Sequence, residues 1–122
     1  MILNRKILTW TTNAGGAATV TDKAVLGKLY GILYAPGTTD TGATVTVTCE
    51  GVGSHTLLVK ATAGTSNTWY YPREVQHNPA DGAALTGTAG GDRAMPVCEG
   101  YFKVVIASGG NVTTGSVVIY YE

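Results

Sequence analysis

Between Thr44 and Glu50 the chain alternates without a fault. Thr44, Thr46 and Thr48 fall on one parity, and Val45, Val47 and Cys49 on the other. A period of two marks a strand with one face buried and one wet. The same grammar recurs along the chain. Ile2 to Trp10 reads as a first strand, followed by a turn over Thr12 to Gly16. Ala17 to Asp22 is a short strand. Ala24 to Ala35 is a longer one, apolar on both parities: Val25, Leu29 and Leu33 on one, Leu26, Tyr30, Ile32 and Tyr34 on the other. A strand apolar on both faces is covered on both. If one face meets an opposing sheet, the other calls for a loop, an arm or another subunit.

Gly51 to Ser54 reverses the chain into His55 to Ala61, a predicted hairpin. Thr68 to Tyr71 is a strand stopped at Pro72, which has no N–H to donate. From Pro72 to Gly91 the pattern lapses into a long loop, and Arg93 to Glu99 is an edge strand. Gly100 to Ser108 and Thr113 to Glu122 then read as a closing hairpin. No stretch of useful length has helical periodicity. The expected fold is one all-β domain over residues 1–122, a jelly-roll-like antiparallel β-sandwich of about eight or nine short strands with no substantial helix.

Composition narrows the function. Only 13% of the residues are charged, eight basic against eight acidic. The basic residues stand singly apart from Arg5 and Lys6, so counterion release from phosphates has no clustered cations to drive it, and nucleic acid is not expected as a partner. No apolar run reaches the ~20 residues that span a bilayer, and the first ten residues do not read as a signal peptide. Thr supplies the polar surface that charges do not, and its β-branched side chain also suits a strand. Cys49 and Cys98 both share the parity of apolar neighbours, so two buried free thiols are expected, acting as small hydrophobes in a cytoplasmic protein.

Candidate chemistry is sparse. Glu74 and His77 lie three apart, but the following Asn-Pro-Ala-Asp-Gly breaks any helix that would bring them together, so no metal site is expected. The aspartates sit in turns. No serine has the context of a nucleophile elbow, and Gly87 to Asp92 lacks the lysine of a phosphate loop. No catalytic residue and no cofactor follow from these patterns. The informative stretch is Asn67 to Gly91. Its first part gathers Trp69, Tyr70, Tyr71, Arg73, Glu74 and His77, residue types that anchor interfaces. Strand parity would point Trp69 and Tyr71 into the core and Tyr70 outward. Its second part, Gly, Ala and Thr, has too little side-chain surface to order itself alone. With Tyr30 and Tyr34 from the doubly apolar strand, these residues are the interface candidates.

The Trp-Tyr-Tyr-Pro-Arg block at Trp69 to Arg73, the Gly/Ala loop after it, the strand Gly100 to Gly110 and the closing Thr113 to Glu122 resemble, in order and spacing, the small head decoration or cement proteins of tailed bacteriophages. The similarity covers roughly Asn67 to Glu122. It implies a β-sandwich that sits on the outside of a capsid, binds the major capsid protein of the same phage, bridges neighbouring subunits and stabilises the head. It implies a homodimer or homotrimer, assembly in the host cytoplasm and no enzymatic activity. Two alternatives stay open: a tail or neck structural protein, and a carbohydrate-binding module using Trp69, Tyr70 and Tyr71.

Overall fold

The computed structural model describes residues 2–51, 53–75, 77, 80–84 and 93–122. Ten strands run through them: β1 (Asn4–Thr11), β2 (Ala18–Thr21), β3 (Val25–Ala35), β4 (Thr44–Gly51), β5 (His55–Lys60), β6 (Thr68–Tyr70), β7 (Glu74–Val75), β8 (Arg93–Ala94), β9 (Val97–Ala107) and β10 (Thr114–Tyr121). All pairings are antiparallel. One layer has the order β1-β10-β3-β6 and the other β2-β9-β4-β5, with β7 and β8 forming a separate two-stranded ribbon. With that ribbon set aside, eight strands make two Greek keys in the jelly-roll arrangement. The all-β sandwich expected from the alternating pattern is the fold found.

The core lies between the layers. Leu8, Val117 and Tyr34 form one inward row across β1, β10 and β3, and Ile119 and Ile32 belong to the next. Val45, Val47, Phe102, Val104 and Ile106 meet them from β4 and β9. Trp10 stacks on Tyr34 at 6.0 Å and donates its indole N–H to Thr39 Oγ1 at 3.1 Å, so its one polar atom is satisfied on burial.

Three expectations are corrected. First, β3 is apolar on both parities because it changes which parity faces the core. The β3–β10 register shifts between Tyr120 and Tyr121, which face Gly31 and Leu29, so Tyr30 is the extra residue. Before this bulge Leu29 points inward; after it Ile32 and Tyr34 do. The pattern therefore does not by itself demand a second subunit. Second, β9 and β10 are not a hairpin. β9 pairs with β4 and β2, β10 with β1 and β3, and the Ser108–Thr113 turn crosses between layers.

Third, Cys49 and Cys98 are bridged rather than free. The β4–β9 ladder places Phe102, not Cys98, opposite Cys49. Four residues of flat strand would separate Cys98 from that point by about 13 Å, yet the two Cα atoms are 5.7 Å apart. The ladder ends at the pair Gly51–Gly100, where both residues have positive φ, 138° and 148°. A Cβ on Gly100 would overlap the Glu50 carbonyl oxygen. Only glycine lets the strands come this close, and past it β9 turns over the corner of the sandwich beside the start of β3. That bend folds Cys98 back onto Cys49. With both thiols bridged, the argument from free thiols to a cytoplasm is withdrawn.

Candidate functional site

The two outward faces of the sandwich differ in kind. On the β2-β9-β4-β5 layer, outward positions are Thr19, Thr21, Thr44, Thr46, Thr48 and Thr56, with Val59, Val105 and an ion pair of Lys103 with Glu50 at 3.9 Å. Glu50 also accepts hydrogen bonds from Ser54 Oγ (2.6 Å) and Thr48 Oγ1 (3.1 Å). These donors, joined by Lys103, hold its carboxyl below the usual glutamate range. This face is mainly polar, with Val59 (60% exposed) and Tyr101 (37% exposed) as its open apolar positions.

The β1-β10-β3-β6 layer is not. Its register aligns Ile7, Val118, Leu33 and Trp69 in one row across all four strands, roughly 14 Å from end to end at ~4.8 Å per strand. The next row holds Arg5, Tyr120 and Gly31. Over Gly31 lies the Tyr71 ring, which a Cβ there would meet at 3.1 Å. Trp69 is 47% exposed and Tyr71 54% exposed. The two rings are parallel within 8° at 6.1 Å, Trp69 lies 5.3 Å from Tyr120, and Tyr71 meets Tyr30 edge-on at 6.2 Å. Four aromatic rings thus brace one another on a surface where Trp69 and Tyr71 remain open to contact.

Arg73 fixes the edge of this patch. Its guanidinium donates to the carbonyl oxygens of Tyr30 (3.0 Å) and Pro72 (2.7 Å) and lies 5.9 Å from the Tyr30 ring centroid. Beyond it Glu74 and Val75 pair with Ala94 and Arg93, and His77 bridges to Ala84. What reads in sequence as a long loop therefore begins as a hairpin arm leaving the aromatic edge. Most of the Gly/Ala tip expected to be mobile, from Ala83 to Gly91, lies outside the described residues.

The site candidates sort as follows. Trp69, Tyr71, Tyr30 and Arg73 meet on one surface, and Glu74 and His77 are exposed on the arm beside it. Tyr70 is paired with Ile32 on the inward parity and packs against the core, which inverts the orientation expected for the Trp-Tyr-Tyr triplet. Tyr34 is a core residue stacked on Trp10, and burial pushes its phenol up, so it drops out as an interface candidate. Ile7, Val118, Leu33 and Tyr120 were missed. Each reads as an ordinary strand residue, and only the cross-strand register brings them into a row. Among the described residues no group of three or more His, Cys, Asp or Glu stands ready to hold a metal ion. The chain matches no protein-family model, and no curated protein or solved structure is similar to it.

Proposed function

We propose that this chain is a structural docking protein of a tailed-phage virion, seated on the outside of the head and bridging neighbouring subunits of the major capsid protein. The observation that carries this reading is the row Ile7, Val118, Leu33 and Trp69 with the ring cluster beside it, an apolar and aromatic face opposite a threonine face. Trp, Tyr and Arg are the anchors favoured at the centres of protein interfaces. A contiguous apolar patch left open to water marks a contact surface rather than a finished one. The hairpin arm beyond Arg73 extends that surface past the edge of the sheet.

The mechanism is mass action. A subunit that binds the assembled shell and not its dispersed pieces stabilises the shell by its binding free energy. Each docking contact needs roughly 1,000 Å² of specific surface, more than one row supplies, so the aromatic edge and arm contribute as well. The role is binding and not catalysis.

A second reading is favoured by one observation, the parallel and half-exposed rings of Trp69 and Tyr71, which suit the apolar face of a sugar ring. Tyr70 has no part in it. Co-sedimentation with purified heads of the phage that encodes the chain tests the first reading. The expected result is retention on the mature head, distributed over the shell, with loss on Trp69→Ala. Failure to bind heads rejects it, and density confined to a ring at the neck replaces it with the tail or neck reading. Saturable binding to a polysaccharide panel, lost on Tyr71→Ala, would favour the sugar platform instead.

A further inference from the structure

Arg5 is the one charged residue set in the rows of the aromatic face. It lies on β1 in register with Tyr120 and Gly31, over which the Tyr71 ring sits. Two residues along the same side of the strand, about 7 Å away, is Ile7, which is 55% exposed. Arg5 is itself exposed. Its neighbour Lys6 has the opposite parity and pairs with Asp22 at 3.5 Å, whereas among the described residues Arg5 joins no ion pair.

The other charges around this face have opposites nearby. Where β10 ends, Lys28 and Glu122 are cross-strand neighbours that exchange both backbone hydrogen bonds, at 2.8 and 2.9 Å. At the far flank Arg73 and Arg93 stand with Glu74 and Asp81 of the arm, while Asp92 lies outside the described residues. Glu99 is three strands from β1, on β9 opposite Leu26. On the threonine face Lys103 pairs with Glu50. Set against Glu74, Asp81 and Glu122, the cations Arg5, Lys28, Arg73 and Arg93 leave one in excess, and Arg5 is the one with no acid beside it.

We infer that Arg5 orients the docking face, and that the capsid surface it meets carries a carboxylate beside an apolar strip. This assignment rests on the docking reading above and names the chemistry of the partner. A guanidinium presents a planar fork of donors that matches a carboxylate with two parallel bonds. One uncompensated cation suits one carboxylate, whereas a nucleic acid needs several cations to release its counterions. The aliphatic side chains of Ile7 and Val118, next to Arg5, suit a protein surface as well. Apolar contact is non-directional, so the row from Ile7 to Trp69 can hold a partner without fixing which way round it lies. A charge pair at the β1 end, roughly 14 Å across the sheet from the Trp69 end, fixes that direction. The two ends then act on different rates. A rim charge steers encounter, and a central aromatic holds the complex once formed.

Association and dissociation rates of the purified chain on immobilised heads, measured over a series of salt concentrations, test this. Arg5→Glu is expected to slow association on the order of 10-fold at low salt, the lower end of electrostatic steering. The difference from wild type should shrink as salt rises. Arg5→Lys should keep the association rate, and Trp69→Ala should speed dissociation instead. Lys60→Glu, an exposed cation at the end of β5 on the other layer, should change neither rate. Near-ultraviolet circular dichroism checks that each variant keeps the fold. Wild-type association on Arg5→Glu overturns the inference, and does so with the docking reading intact if Trp69→Ala still weakens attachment. An equal loss on Lys60→Glu overturns it in favour of net charge alone. Binding of a single-stranded oligonucleotide that is lost on Arg5→Glu overturns it in favour of a nucleic-acid partner. A wild-type chain that binds no heads at any salt rejects the docking reading, and the inference falls with it.

Discussion

One outward face of this sandwich carries six threonines and an ion pair beside Val59, Val105 and Tyr101; the other carries Ile7, Val118, Leu33, Trp69, Tyr120 and Tyr71 beside Arg5. Both are built from antiparallel strands over the same core. The threonine face solves the problem of a chain with few charges: hydroxyls meet water while β-branched side chains stiffen the strands. The other face leaves that problem unsolved, and an unsolved surface on a folded domain is where a partner belongs. Averaged over the molecule, the two faces cancel into an unremarkable composition.

The largest effect is expected at the disulfide that ties β4 to the start of β9. Replacing both cysteines, Cys49→Ala with Cys98→Ala, frees a link with a sequence separation of 49. By the chain-entropy argument this costs about 4 kcal/mol. Thermal unfolding should show a lower midpoint for the whole domain, with neither face affected before the other. A loss confined to one layer would mean that the bridge serves that layer and not the corner.

Trp69 sharpens the contrast between the faces. As a half-exposed residue it should affect the fold far less than the ~3–5 kcal/mol of a buried aromatic. As an interface anchor, Trp69→Ala should weaken attachment to heads by about 2 kcal/mol, roughly 30-fold in affinity. Val105→Thr on the opposite face should leave attachment unchanged. Equal losses from the two variants would dissolve the distinction between the faces.

A smaller change converts one face toward the other. Ile7→Thr with Val118→Thr should shift stability by no more than about 1 kcal/mol, since both positions point outward. Binding of a hydrophobic dye should fall. Dye binding that stays the same would place the exposed apolar surface elsewhere.

The smallest effect belongs to the threonine face. The carboxyl of Glu50 is held below its ordinary value by Ser54, Thr48 and Lys103. A depressed folded-state pKa gives stability that is present above the unfolded value and lost as pH falls through the folded one. Glu50→Gln should therefore flatten the acid limb of the stability profile slightly and leave neutral behaviour unchanged. Because Glu50 is partly exposed, solvent screening keeps this contribution small. An unaltered acid limb would show that the Glu50 carboxyl titrates alike in the folded and unfolded chain.

Much of the fold was legible because strand burial is written in a local period. Val45, Val47 and Cys49, or Phe102, Val104 and Ile106, identify their inward face without knowing what lies opposite. Local period fails where a strand changes its inward parity. The bulge at Tyr30 makes β3 look covered on both sides, and the inverted orientation of Trp69, Tyr70 and Tyr71 has the same origin: a three-residue strand has too few alternations to set its own phase. Its phase comes from pairing with Ile32 to Tyr34.

By itself, then, the sequence determined the all-β class, the inward faces of β4 and of β9 from Phe102 to Ile106, the apolar setting of both cysteines and the aromatic concentration around Trp69. Each is a property of residues within a few positions of one another. Tertiary structure alone decided that β9 and β10 part into different layers, that Cys98 folds back on Cys49 at the Gly51–Gly100 corner, and that Ile7, Val118, Leu33 and Trp69 form one row. Those facts depend on which strands pair and in what register. Pairing is settled by the global burial of the core between positions more than a hundred residues apart, as for Asn4 and Tyr121, and a local pattern holds no record of it.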